Sequence, residues 1–274
     1  MSLLRVLQGK TRTQGRWRAR LWRWRRPEAE PSDDPLVLFA LPLVSRRRAS
    51  DWARVEENLR GTLEAFRRQS DPNWRAVICG QDRPALPEDD RIDFIEAKVG
   101  DKFYDKGDKR RQLIAQVART VRRDLYYMQH DADDILHPDV VAHIRKGHNG
   151  RGYLIDRGYF VHAGTRRLAP LFPPERPFHK TCGSSAAVYA DFREHRLDAR
   201  LLYEHRSHTQ VAGICEDWGR PLEPIPFAAG LYMVGHGENM IERRGKLEQR
   251  LGYLDANEIT DPAEREEILR AFGL

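Results

Sequence analysis

Cysteine is scarce in this 274-residue sequence, with only Cys79, Cys182 and Cys215 present. An odd, widely spaced set supports neither a disulfide framework nor a four-ligand zinc site, and it suits a reducing, cytoplasmic setting. His179 and Cys182 invite a zinc reading, but no second pair at matching spacing joins them. No stretch approaches the roughly 18–20 apolar residues that cross a bilayer. The opening MSLLRVLQGK lacks the apolar centre and cleavage site of a signal peptide. No histidine precedes His130, which disfavours a phosphohydrolase built around His130-Asp131. A G-x-S-x-G elbow is missing, so a serine hydrolase is excluded. There is no internal repeat.

Acid is also missing, locally. Residues 1–26 hold nine Lys or Arg and no Asp or Glu, so the net charge of +6 misleads when read globally. Removing those nine from 47 leaves 38 basic against 41 acidic residues, a net of −3. The basic character therefore belongs to the tail, and no nucleic-acid partner is expected. Within the tail, Trp17, Leu21 and Trp24 fall at i, i+4 and i+7, on one face of a helix otherwise rich in arginine. That composition fits a helix lying on an anionic membrane surface, which would place the protein peripherally at the inner face of the membrane. A disordered basic leader fits it equally. After Pro27, PEAEPSDDP reads as a linker, so residues 1–34 form a tail and residues 35–274 a single domain.

What is present in the body is alternation. LVLFALPLV (36–44) is a continuous apolar run suited to a strand buried on both faces. A helix is predicted from Ser50 to Gln69, capped by Ser50 or Asp51, with Trp52, Val55, Leu59, Leu63 and Phe66 inward. WRAVICG (74–80), IDFIEA (92–97) and LYYMQHD (125–131) read as strands, and residues 108–123 as a helix. Strands separated by helices predict an α/β fold with an open, mostly parallel, Rossmann-like sheet. The second half is less regular, with strand material at 152–167, a helix around 198–204 and a terminal helix over 261–272 opened by Asp261-Pro262.

Asp131, Asp133 and Asp134 crowd three carboxylates at the end of the fourth strand. Ligands of such sheets bind beyond the strands' carboxyl ends. Hard divalent cations take oxygen ligands, so magnesium or manganese would relieve the repulsion and keep positions open for phosphate. The plain structural reading is capping, with Asp134 or Asp139 starting a helix at Pro138.

The sequence here resembles the family 2 glycosyltransferases of the GT-A fold. Asp131-Ala132-Asp133-Asp134 matches their D-x-D-D motif, ALPLVSR their first strand, CGQD the end of their second, and YDKGDKRRQL their basic segment. The resemblance implies a nucleotide-sugar donor, a saccharide or glycolipid acceptor and transfer with inversion. It implies a nucleotide-sugar-binding half over 35–148 and an acceptor half over 149–274. On this reading Pro42, Asp82 and Asp131 contact the nucleotide, with Lys106, Lys109 or Arg110 near the diphosphate. Asp133 is the principal metal ligand, with Asp131 and His236 as further ligands. Ser184 and Ser185 face sugar hydroxyls, and Tyr153, Tyr159, Phe160 or Trp218 stack on an acceptor. Glu204 in YEHRSH is favoured as general base over Asp217 in CEDWG, with Glu216 behind both. The rivals are a nucleotidyltransferase, although the first strand is followed by basic residues without glycine, and a membrane-tethered nucleotide-sugar-binding protein without catalysis.

Overall fold

The computed structural model describes residues 15–26, 29–102 and 104–274. The expectations that rest on residues 1–14 and on Pro27 lie outside the described residues.

The chain builds two sheets. The larger has seven strands in the order β10-β6-β9-β4-β1-β2-β3, where β1 is Leu36–Pro42, β2 Trp74–Gly80, β3 Ile92–Glu96, β4 Asp124–Gln129, β6 Gly152–Leu154, β9 Ala186–Asp191 and β10 Glu223–Pro224. β4, β1, β2 and β3 run parallel, whereas β9 is antiparallel to both β4 and β6. The predicted α/β sheet is therefore present, and it draws β9, β6 and β10 from the second half of the chain. Every residue of β1 is buried, as its unbroken apolar run requires of a central strand covered on both faces.

Helices supply the two covers. α2 (Trp52–Arg67) lays Val55, Leu59, Leu63 and Phe66 on one face, where Phe66 stacks on Phe39 with centroids 4.0 Å apart. Asp51 caps it, its side chain accepting from the Arg54 N–H at 3.3 Å. α3 (Lys106–Thr120) buries Leu113, Ile114, Val117 and Ala118 on the other face. α1, residues 15–25, lies over the same layer, against α5 (Ala199–Glu204) and α6 (Val211–Asp217). No helix among the described residues is long and apolar enough to cross a membrane.

The second sheet has the order β5-β11-β7-β8, with β5 Ile135–Leu136, β7 Gly158–His162, β8 Leu168–Leu171 and β11 Gly230–Val234. Residues 152–167, read from sequence as one stretch of strand material, divide between the two sheets at β6 and β7. α4 (Val140–Gly147) follows β5; α7 (Met240–Arg243) and α8 (Leu247–Asn257) follow β11; α9 (Pro262–Ala271) ends the chain, its N-terminus capped by Asp261.

Register then brings distant residues together. β5 starts directly after the acidic cluster and pairs antiparallel with β11, Ile135 opposite Leu231. The chain leaving β11 must therefore pass alongside residues 133–134. The Met233 N–H accordingly reaches Asp134 Oδ1 at 3.4 Å, and His236 arrives beside Asp133.

Candidate active site

A cavity of about 600 Å³ opens at the carboxyl ends of β1 and β4. Pro42 through Ser45 form one wall, Asp131 through Asp133 a second, and the first turn of α3 a third. The segment from His236 to Ile241 closes the remaining side. Basic side chains outnumber acidic ones around it: Arg48, Lys102, Lys106, Arg110, Arg206, Arg243, Arg244, Lys246 and Arg250 all line it.

The three aspartates place ligand atoms within 4.8 Å of one another, yet their surroundings differ. Asp134 is 1% exposed; its Oδ2 accepts from Ser184 Oγ at 2.6 Å and from the Cys182 thiol at 3.0 Å. Burial, and then the charges of Asp133 and Asp131, push its carboxyl well above the usual range. Asp134 caps no helix, and Asp139, which precedes α4, makes no capping bond with its side chain. Asp131 stays ionised. Burial opposes its charge, but the Lys106 ammonium at 2.7 Å and the Arg110 guanidinium at 3.4 Å outweigh it and hold the carboxyl low. Asp133 Oδ2 receives His236 Nε2 at 3.0 Å and Asn239 Nδ2 at 3.1 Å. Nδ1 of the His236 ring faces Asn58 Nδ2 at 2.9 Å and the Glu238 N–H at 3.3 Å, both donors, which assigns the ring proton to Nε2. Burial disfavours charge on this imidazole, but its bond to Asp133 prevails and raises its pKa.

These residues fit a divalent cation. Among the described residues, hydrogen bonds reach only Oδ1 of Asp131 and only Oδ2 of Asp133, so each carboxylate keeps an uncommitted oxygen. Gly183 leaves room at one of them, since a β-carbon there would lie 3.1 Å from Asp131 Oδ2. His236 could add a nitrogen ligand only by giving up its bond to Asp133.

The other sequence candidates fall in different places. Pro42, Lys106 and Arg110 line the cavity. Lys109 also borders it, but the side chain is fully buried, with Nζ held by Leu43 O at 2.6 Å and Asp105 Oδ2 at 2.9 Å. Its charge is spent on tying α3 to the end of β1. Asp82 does not line the cavity; its Oδ2 accepts from the Arg46 N–H at 2.7 Å and shapes the loop after β1. Ser184 is buried, accepting from the Asp131 N–H at 2.8 Å while donating to Asp134, so it fixes the acidic turn from beneath. Ser185, Tyr153, Phe160 and Trp218 are core residues, and Tyr159 packs edge-on against Phe172 and Phe272.

Glu204 and Asp217 do not line the cavity either. Arg18 of α1 holds Glu204 at 3.0 Å, and Arg16 holds Asp217 at 3.1 Å. Two further carboxylates line the cavity: Asp105, whose Oδ2 is taken by Lys109 and Gln81, and Glu238, whose Oε1 accepts from the Asp51 N–H at 2.6 Å while Oε2 is buried without a partner among the described residues. Sequence reading passed over Glu238 and Asn239 although both stand in the GHGEN string that drew attention to His236. It also passed over the basic run that follows, RRGKLEQR. Asn58 gave no signal, because nothing in α2 marks the one polar residue that faces the cavity.

No family profile matches the sequence, and no curated protein matches it. Among solved structures, 4-diphosphocytidyl-2C-methyl-D-erythritol synthase aligns with a TM-score of 0.38 at 14% identity, over 79% of this chain and 98% of that one. A mannosyltransferase from Pyrobaculum calidifontis, solved with GDP-mannose and Mn²⁺, aligns with a TM-score of 0.39 at 14% identity, over 93% and 74%. Likenesses at this level carry no argument about substrate or chemistry.

Proposed function

We propose that the protein is a metal-dependent glycosyltransferase that moves a sugar from a nucleoside-diphosphate sugar to a saccharide or glycolipid acceptor, with inversion. One observation carries this reading: Asp131 and Asp133, each with an uncommitted oxygen, line a cavity in which basic side chains outnumber acidic ones. That pairing of charges suits a diphosphate and a cation bound together and suits neither alone.

Asp131 and Asp133 would hold the ion, Mg²⁺ or Mn²⁺. Bound there, it supplies Lewis-acid stabilisation of the charge that grows on the departing diphosphate. The protein's own part begins with Lys106 and Arg110. In the free protein they neutralise Asp131; with donor present they are placed to turn their donors to phosphate oxygens. Ser184 keeps the acidic turn in position by bridging Asp131 N and Asp134. Asp134, whose carboxyl is pushed upward by burial, serves that same anchoring by accepting from Ser184. Glu238 Oε2 takes the proton of the attacking hydroxyl, replacing Glu204 and Asp217 in that role, since the latter two are engaged by α1.

Calorimetric titration of GDP, UDP and dTDP with and without Mn²⁺ tests the proposal. Binding that requires metal in the native protein, and is lost in Asp133→Asn, is expected. Equal affinity with and without metal, or native binding in the variant, removes the metal role. Metal-dependent binding without transfer from any nucleotide sugar to any acceptor leaves a binding protein instead of an enzyme.

A further inference from the structure

Helix α1 is amphipathic in two opposite directions. At about 100° per residue, Ala19 and Trp22 project to one side and Trp17, Leu21 and Trp24 to the other. The first side is docked. Ala19 and Trp22 are 0% and 3% exposed, and Trp22 packs 5.2 Å from the Trp218 ring and donates Nε1–H to Leu197 O at 3.1 Å. Arg26 joins from the same side, its Nε 2.8 Å from buried Asp198. The second side faces outward: Trp17 is 71% exposed and Trp24 80%. Only Tyr104 and Leu274 join them as exposed large apolar residues among those described.

The charges sort in the same way. Arg16, Arg18, Arg23 and Arg26 engage Asp217, Glu204, the Asp217 carbonyl and Asp198. Arg20 and Arg25 are exposed and make no hydrogen bond or ion pair among the described residues. On the helical wheel they flank the outward stripe, one on each side. An unpaired indole stripe about 10 Å long, edged by free guanidinium groups and lying flat on the body, is what an anionic lipid surface matches. Indoles settle at headgroup level and arginines meet lipid phosphates.

We infer that the outward face of α1, made of Trp17, Leu21 and Trp24 between Arg20 and Arg25, is a docking surface for an anionic lipid bilayer. This goes beyond the transferase reading and stands or falls separately from it. Buried Trp22 and the Arg26–Asp198 pair on the inward side make α1 a fixed plate and not a swinging tether, so docking orients the body. Arg206, two residues past the end of α5 on which α1 rests, lines the cavity.

The test uses the full chain and vesicles of phosphatidylcholine with and without phosphatidylglycerol, read by flotation and by tryptophan quenching with brominated lipid. The native protein is expected on anionic vesicles only. Trp17→Ala/Trp24→Ala should weaken binding by at least about tenfold, and Arg20→Gln/Arg25→Gln by about fivefold per residue. All four side chains are exposed, so thermal stability and metal-dependent nucleotide binding should remain native and report an intact fold. Equal binding to neutral vesicles, full binding by the tryptophan pair variant, or a dimer in sedimentation that the pair variant abolishes in place of vesicle binding would each overturn the inference.

Discussion

Two groups of carboxylates in this protein look alike in sequence and behave differently in space. At the rim of β4, Asp131 and Asp133 share their partners with a cavity and each retains an oxygen that no described residue occupies. Along α1, Glu204, Asp217 and Asp198 each meet an arginine of the helix laid over them. Charge neutralised inside the protein serves docking; oxygens left uncommitted at a cavity stay available to a ligand. Proximity to an acid-rich string therefore says little about catalysis, and the occupancy of each oxygen says more.

The sharpest test of the open side of this contrast is a further cavity carboxylate, Glu238, whose Oε2 also lacks a partner among the described residues. Glu238→Gln preserves the acceptor oxygen for the Asp51 N–H but removes the base, so kcat is expected to fall by about 10²–10⁴-fold with nucleotide affinity nearly unchanged. Steady-state kinetics with calorimetry of nucleotide binding would check both halves. A kcat within twofold of native, about 0.4 kcal/mol, would return the search for the base to other groups.

Much of the first half of the chain was legible in the sequence. β1 announced itself as an unbroken apolar run, α2 by its inward stripe and cap, and the acidic cluster by its place after a strand. Closing the site was not legible. His236 and Asn239 reach Asp133, and Glu238 reaches the cavity, because β5 and β11 pair antiparallel, and β5 is only two residues long. No periodicity can be read from two residues, so the pairing that assembles the site leaves no local trace. The role of α1 was half legible. The stripe Trp17-Leu21-Trp24 was visible at helical spacing, but the opposite stripe has one large residue, Trp22, and its receptor lies about 175 positions away. Glu204 and Asp217 were attractive as bases because the partners that occupy them sit in a tail read as separate.

Removing the inward anchor probes the docked group directly. Trp22→Ala should cost about 3–5 kcal/mol of α1 docking, seen as protease cleavage within residues 15–26 while the rest of the chain stays folded. If cleavage does not change, Trp22 is not what holds the helix.

Acid should weaken the body through histidines buried without charge. Burial, reinforced by Arg110 and His208, depresses His205 to about 3, and burial with Lys180 and His208 depresses His179 to about 4. An unfolded chain would protonate both near pH 6.5, so it binds more protons than the native protein between those limits. Their contribution is whole above pH 6.5 and is lost as pH falls toward 4 and then 3. The midpoint of thermal unfolding should drop across that window, and a flat profile between pH 7 and 4 would show that these rings are solvated.

At the rim, a smaller intrusion sharpens the distinction between open and filled oxygens. Gly183→Ala places a β-carbon 3.1 Å from Asp131 Oδ2 and 3.7 Å from Arg110 Nη2. The aspartate must yield by a few tenths of an ångström, so metal-dependent nucleotide binding should weaken by about tenfold, about 1.4 kcal/mol. Stability should barely change, because the clash is with side chains bordering a cavity. Undiminished affinity would mean that Asp131 Oδ2 is not a ligand atom.

The smallest effect belongs to the carboxylates under α1. Glu204→Gln and Asp217→Asn keep side-chain shape and lose only the charge that meets Arg18 and Arg16. Those arginines are 62% and 59% exposed, so solvent screens both pairs and each contributes about 0–1 kcal/mol. Hydrogen exchange over residues 15–25 should quicken slightly in the double variant, and high salt should produce a similar quickening in the native protein. Turnover should stay native, because neither carboxylate borders the cavity. A drop of tenfold or more in kcat would mean that α1 lifts away during the reaction and that one of these residues is released into the site, which would erase the division between the two groups of acids.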